Sequence, residues 1–201
     1  MRYICQRDYD NIPYTTFTSD PDNEEGKHTT IKTSGCGLCA SIMVLDRLLT
    51  DYKFDLEDAI ELSYASKANT ESGTNYTQYA PAFAEKFNLR FKKSSNIVEV
   101  AECLRTGGAA VAHVLHTEEY SSVFTTWGHY IAIVSVDEKG IFTILDPDQY
   151  EGKFDGDNCK YKARNDGHFI YATPELLVAE TQKWPTFKYF LFWRKSPESL
   201  R

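Results

Sequence analysis

The stretch TSGCGLCASIMVLDRLL, residues 33–49, sets Cys36 and Cys39 three residues apart, with Gly35 before the first and Gly37 after it. A pair like this has three chemistries open to it: a metal clip, a redox couple, or one nucleophile beside a bystander. Zinc normally takes four ligands, often as two separated pairs. C-x-x-C occurs once here, and no second pair answers it. His113 and His116 lie three apart on a predicted strand, so they point to opposite faces and chelate poorly. A thioredoxin-like C-x-x-C opens a helix after a strand in a βαβ unit; here a loop precedes the helix and no early βαβ unit is present. In the third chemistry, a thiol at a helix N-terminus meets the partial positive charge of unpaired backbone N–H groups, which favours thiolate. A neighbouring imidazole completes the activation.

The best imidazole is His129, in WGHYIAIV at the start of a predicted strand. DEKG, residues 137–140, reads as a tight turn to the next strand, GIFTILDP. With that turn Val136 pairs with Ile141, Ile131 falls opposite Asp146, and His129 falls opposite Asp148. The side-chain period of two puts Asp146 and Asp148 on the face of His129, so one carboxylate can fix its tautomer. A one-residue slip would reverse that relation. Each residue alone has an ordinary reading. A cysteine is most often a small buried hydrophobe, a histidine at a strand start is usually a surface or hydrogen-bonded residue, and Asp-Pro usually makes a turn. Their combination is harder to reach by accident.

Stepping outward, Ile42, Leu45 and Leu49, with Val44 and Leu48, give the Cys36 helix a buried face. Further helices are predicted over 54–69, with Asp55 as N-cap and Asp58 three residues on, over 72–89, with an early break or kink at Pro81, and over 96–108, capped by Asn96 or Ser95 and stopped by Gly107 and Gly108. Residues 19–30 read as a polar surface loop. Strands are predicted over 109–116, 129–136, 140–147 and 187–195, and a short helix over 173–184 with Thr173 as N-cap and Pro174 at its first position. Helices first and antiparallel strands second imply an α+β fold in a single domain over 1–201.

Composition sets outer limits. The 201 residues are 42% hydrophobic, enough for a real core, and carry a formal net charge of -7. No run of five or six Lys and Arg and no basic amphipathic face supports a nucleic-acid role. No run approaches the roughly 18 apolar residues of a membrane span. MRYICQRDYD has no apolar centre, so it is not read as a signal peptide. Five cysteines, an odd number, make a poor disulfide framework and favour a reducing, cytoplasmic setting.

SGCGLCASIMVL resembles the GCGPTALAMVL signature of C39-like cysteine peptidases, a branch of the papain-like superfamily. GHYIAIV resembles that family's His segment, ILDPD its Asp-Pro segment, and CQRDYDNIPY its N-terminal Gln segment. The order matches, over roughly residues 3 to 148. The resemblance implies a papain-like fold, with N-terminal helices packed on a mainly antiparallel sheet. It implies Cys36 as nucleophile, His129 as general base and then acid, Asp146 as its orienter, and Gln6 as oxyanion donor. It implies no metal or organic cofactor, and a peptide or protein substrate. Leu38 and Cys39 stand where the signature has Pro and Thr. A papain-type CGSCW pattern would instead make Cys39 the nucleophile. Cys39 lies a turn further into the helix, where the dipole has faded, and lacks the following Trp. Trp127 and Tyr130 flank His129 and either line a substrate groove or simply pack. The same triad serves a cell-wall peptide amidase or an acyltransferase, and an inactive peptide-binding module would keep the fold.

Overall fold

The structure, a computed structural model, describes residues 1–14, 29–157, 159, 163–183 and 187–195. The polar loop expected over 19–30 lies outside them up to residue 28. The described residues contain six α-helices and nine strands. The first helices are α1 (Ile31–Ser34) and α2 (Cys36–Leu48), separated only by Gly35. Helix α3 (Leu56–Ala65) is capped as predicted: an Asp55 carboxylate oxygen accepts from the Asp58 N–H at 3.2 Å, and Asp58 reciprocates on the Asp55 N–H.

The helix expected over 72–89 starts later. Strands β1 (Asn69–Thr70) and β2 (Gly73–Thr74) form a small hairpin first, because Gly73 sits at φ +127°, outside helical space. Helix α4 (Tyr76–Lys86) then starts from Asn75, whose side chain accepts from the Thr77 N–H at 3.1 Å. Pro81 does not break it. The proline lies on the exposed side, where water can satisfy the carbonyl left without its N–H donor. Strand β3 (Leu89–Ser94) follows. Helix α5 (Ile97–Arg105) is capped by Asn96, which accepts from the Val98 N–H.

The remaining elements are β4 (Ala109–Leu115), β5 (Gly128–Val136), β6 (Phe142–Leu145), β7 (Ala163–Asp166), β8 (Phe169–Ala172), α6 (Pro174–Thr181) and β9 (Tyr189–Arg194). Seven strands form one antiparallel sheet in the order β3-β9-β4-β5-β6-β8-β7. The central strands are covered on both faces, which is why they read as near-continuous apolar runs. Ala109, Val111, Tyr130, Ala132, Phe190 and Phe192 join the core under α2, α3 and α4. Their alternates, including Ala110, Ile131, Ile133 and Leu191, pack under α5 and α6. The fold is α+β, as expected.

The β5–β6 hairpin corrects one expectation. Val136 pairs with Phe142, not Ile141, and a bulge between Ile133 and Ser135 absorbs the extra residue. The bulge leaves Val134 out of the β5–β6 pairs, and its carbonyl accepts from Arg47 Nε at 3.0 Å. Beyond it the pairs are Ile133↔Ile144 and Ala132↔Leu145. That is the register inferred from the sequence, recovered on the side where His129 lies.

Candidate active site

Cys36 is the first residue of α2 and is half-buried. The junction that puts it there depends on Gly35. A Cβ at that position would lie 2.7 Å from the Ile31 carbonyl oxygen and 2.7 Å from Ile31 Cγ2. Close approach of α1, rather than an unusual φ, therefore excludes a side chain. Gly37 is tight for a similar reason: its Cβ would be 3.1 Å from Thr74 Cβ and 3.3 Å from Tyr130 Cδ2. The first turn of α2 thus rests directly on β2 and β5. Cys39 is one turn deeper and fully buried, and that burial pushes its thiol well above the usual range.

His129 enters from the second residue of β5 and is 5% exposed. The segment that leads into it is tied down by Glu180 of α6. This buried carboxylate accepts from the Tyr120 hydroxyl at 2.8 Å, from the Val123 N–H at 2.9 Å, and from the Ser122 hydroxyl. The carboxylate of Asp146, fully buried just past β6, places Oδ1 2.7 Å from His129 Nε2. The Asp148 N–H donates to the same oxygen at 2.9 Å. The other ring nitrogen, Nδ1, is left for the Cys36 side, and the Cys36 thiol is near enough to contribute to raising the imidazole. Burial by itself pulls the imidazole down. The Asp146 charge, the hydrogen bond to it and the Cys36 contact outweigh burial and raise His129 to about 9. Burial pushes the Asp146 carboxyl up, but the charges of His129 and Lys153 more than reverse it and bring it down to about 2. Nε2–H is therefore the donor to an ionised carboxylate.

Gln6 sits on a segment zipped along the residues after β6. Its N–H donates to the Pro147 carbonyl at 2.8 Å, the Tyr3 hydroxyl donates to the Asp146 carbonyl at 2.8 Å, and Arg7 Nε lies 2.8 Å from Asp148 Oδ1. The Gln6 side chain is buried and donates Nε2–H to the Lys32 carbonyl of α1 at 2.7 Å. Its amide is thereby held against the short helix that leads into Cys36.

Lys153 is the residue that sequence reading missed. Its side chain is 6% exposed, and Nζ lies 2.7 Å from Asp146 Oδ2. A lone lysine in DQYEGKFDG looks solvated, and only the folded path of the loop reveals it. The two aromatics beside His129 part ways. Tyr130 packs inward, 4.0 Å from the His113 ring and 4.9 Å from the Tyr76 ring. Trp127 is 81% exposed. His113 is held down to about 3 by burial and by the nearby His129, so it stays neutral. Among the described residues no three His, Cys, Asp or Glu side chains group to hold a metal ion, and no helix is long and apolar enough to cross a membrane.

No family model and no curated protein matches this sequence. Solved structures do. The chain superposes on the peptidase domain of Streptococcus ComA, described as a bi-functional ABC transporter involved in a quorum-sensing pathway. The TM-score is 0.51 at 14% identity, covering 81% of this chain and 93% of that one. It also superposes on a protein described as a C39-like peptidase from Bacillus anthracis. Here the TM-score is 0.53 at 13% identity, covering 98% of this chain and 100% of that one. The fold is the papain-like one of C39 peptidase domains.

Proposed function

We propose that this protein is a thiol-dependent hydrolase that cleaves peptide bonds through an acyl-enzyme on Cys36. One observation carries the reading. The buried His129 ring is held by Asp146, 2.7 Å from its Nε2, and lies within the electrostatic reach of the half-buried thiol at the head of α2. A thiol at a helix N-terminus with an imidazole beside it is placed to give up its proton as it attacks. The thiolate attacks the substrate carbonyl carbon, and the C–S bond forms as the carbonyl π electrons move to oxygen. The resulting oxyanion is met by the second Nε2–H of Gln6, whose first is taken by Lys32, and by the Cys36 N–H. The His129 imidazolium then gives its proton to the leaving amine as the C–N bond breaks. Neutral His129 next takes a proton from water, which attacks the thioester and frees the acid and the thiol. Trp127, exposed two residues before His129, offers an aromatic surface to the substrate.

The test is digestion of a denatured-protein peptide library, read by mass spectrometry, with wild type and Cys36→Ala. New peptide termini with wild type and none with Cys36→Ala support the reading. Products that appear only as adducts of an added amine would instead identify an acyltransferase, since the same thioester accepts either nucleophile. Equal peptide profiles in the two samples would contradict a peptidase.

A further inference from the structure

The carboxylate behind His129 is not His129's alone. Asp146 divides its two oxygens between two cationic partners: Oδ1 is hydrogen-bonded to His129 Nε2 at 2.7 Å, and Oδ2 is ion-paired with Lys153 Nζ, 2.7 Å away. The ammonium is fixed from several sides. It donates to the Asp148 carbonyl at 3.0 Å and lies 5.8 Å from the ring centres of both Tyr150 and Phe154. Phe154 in turn packs edge-on against Phe124, 5.8 Å away, in the segment that leads into β5. Burying an ammonium is expensive unless it is paired and hydrogen-bonded. A lysine sealed in this way is a built feature of the site rather than a surface residue folded inward.

We propose that Lys153 is a positioning residue of the site: by sharing Asp146 with His129, it limits how tightly the imidazole keeps its proton. This rests on the reading of Cys36 and His129 as the reacting pair. The physical reason is charge division. A carboxylate with a single cation beside it would hold the imidazolium proton more firmly, and His129 would become a weaker acid toward a leaving amine. The other groups facing this pair are accounted for. Cys36 of α2 contacts His129, and neutral His113 of β4 stands near it. Tyr3 donates to the Asp146 carbonyl, and the Asp148 carboxylate is shared between Arg7, 2.8 Å from its Oδ1, and Lys153 itself, 3.5 Å from its Oδ2. Because the Asp148 N–H still holds Oδ1, removal of Lys153 leaves the carboxylate beside His129. The lost positive charge then dominates.

The experiment is the titration of the His129 ring protons by NMR in wild type, Lys153→Met and Lys153→Arg, with kcat and KM for a peptide substrate beside it. A unit charge one carboxylate away, at an effective dielectric constant of about 20, shifts a midpoint by about two pH units. Lys153→Met is expected to move the His129 midpoint upward by about that amount and to lower kcat several-fold at constant KM. Lys153→Arg is expected to restore the wild-type midpoint. An unchanged midpoint in folded Lys153→Met overturns the proposal. Should Lys153→Met fail to fold, the lysine ammonium spectrum of wild type decides instead. A slowly exchanging Lys153 resonance that moves in step with the His129 titration supports the assignment, and one exchanging as fast as surface lysines overturns it. A midpoint shift in an enzyme that cleaves nothing would leave the Lys153 assignment standing and remove the peptidase reading.

Discussion

Individual side chains make the sharpest claims. Gln6→Ala should lower kcat/KM by roughly 10²–10³, the usual loss for one oxyanion donor. It should cost only about 0.5–1.5 kcal/mol of stability, for the bond to the Lys32 carbonyl. Steady-state kinetics beside a urea melt separates the two effects. Asp146→Ala should behave differently, because it takes the nearest anion from the buried Lys153 ammonium and leaves it the Asp148 carbonyl and the more distant Asp148 Oδ2, 3.5 Å away. Loss of one partner from a buried ion pair typically costs about 3–5 kcal/mol, so this variant should melt well below Cys36→Ala. The double variant Asp146→Ala, Lys153→Met should recover part of that loss. Equal melts for Asp146→Ala and Cys36→Ala would show that the pair is not sealed from water. Cys36, His129 and Asp146 were legible in the sequence because reactive residue types stood at readable places: a glycine-flanked helix start, a strand start and the far arm of a hairpin. Lys153 was not, since its meaning comes from a contact made only when the loop after β6 folds back on Asp146.

Elements place these side chains. Gly35→Ala should destabilise the α1–α2 junction, because its Cβ would meet the Ile31 carbonyl oxygen at 2.7 Å. Backbone cannot yield there as a flexible side chain can. A loss of about 1–3 kcal/mol, the usual range for overpacking, with slower alkylation of Cys36, is the expected result in a melt and a labelling assay. Glu180→Ala should loosen the segment before β5, which it holds through Tyr120, Ser122 and Val123. Hydrogen exchange should then rise over 117–127 before it rises in the β4–β5 ladder. The helix caps at Asp55, Asn96 and Thr173 were legible because they are local chemistry. The strands β3, β7 and β8 were not. They lie toward the sheet's edges, and β3 carries Arg90, Lys92 and Lys93 in a pattern that lacks clean alternation. The bulge in β5 was equally invisible, since it is set by how β5 meets β6 and Arg47 rather than by any residue of the turn.

For the molecule as a whole, the shifted groups set how stability varies with pH. His129 is raised from 6.5 to about 9, so its contribution is complete below about 6.5 and is lost as pH rises through 9. Asp146 is lowered from 3.8 to about 2, so its contribution is present above 3.8 and is lost as pH falls toward 2. His113, lowered from 6.5 to about 3, is buried neutral. The unfolded chain therefore takes up its proton first, and stability falls as pH drops below 6.5. Together the three groups place the maximum near pH 6.5, and urea midpoints measured from pH 4 to 10 should fall on both sides of it. A stability still rising at pH 9 would contradict the charged His129–Asp146 pair. The most direct measurement is the rate at which iodoacetamide alkylates Cys36 at neutral pH, mapped by peptide mass, in wild type and His129→Ala. The account predicts that Cys36 reacts roughly tenfold or more faster than a free peptide thiol, and that His129→Ala removes the advantage. A wild-type rate equal to that of the free thiol and indifferent to His129→Ala would contradict it.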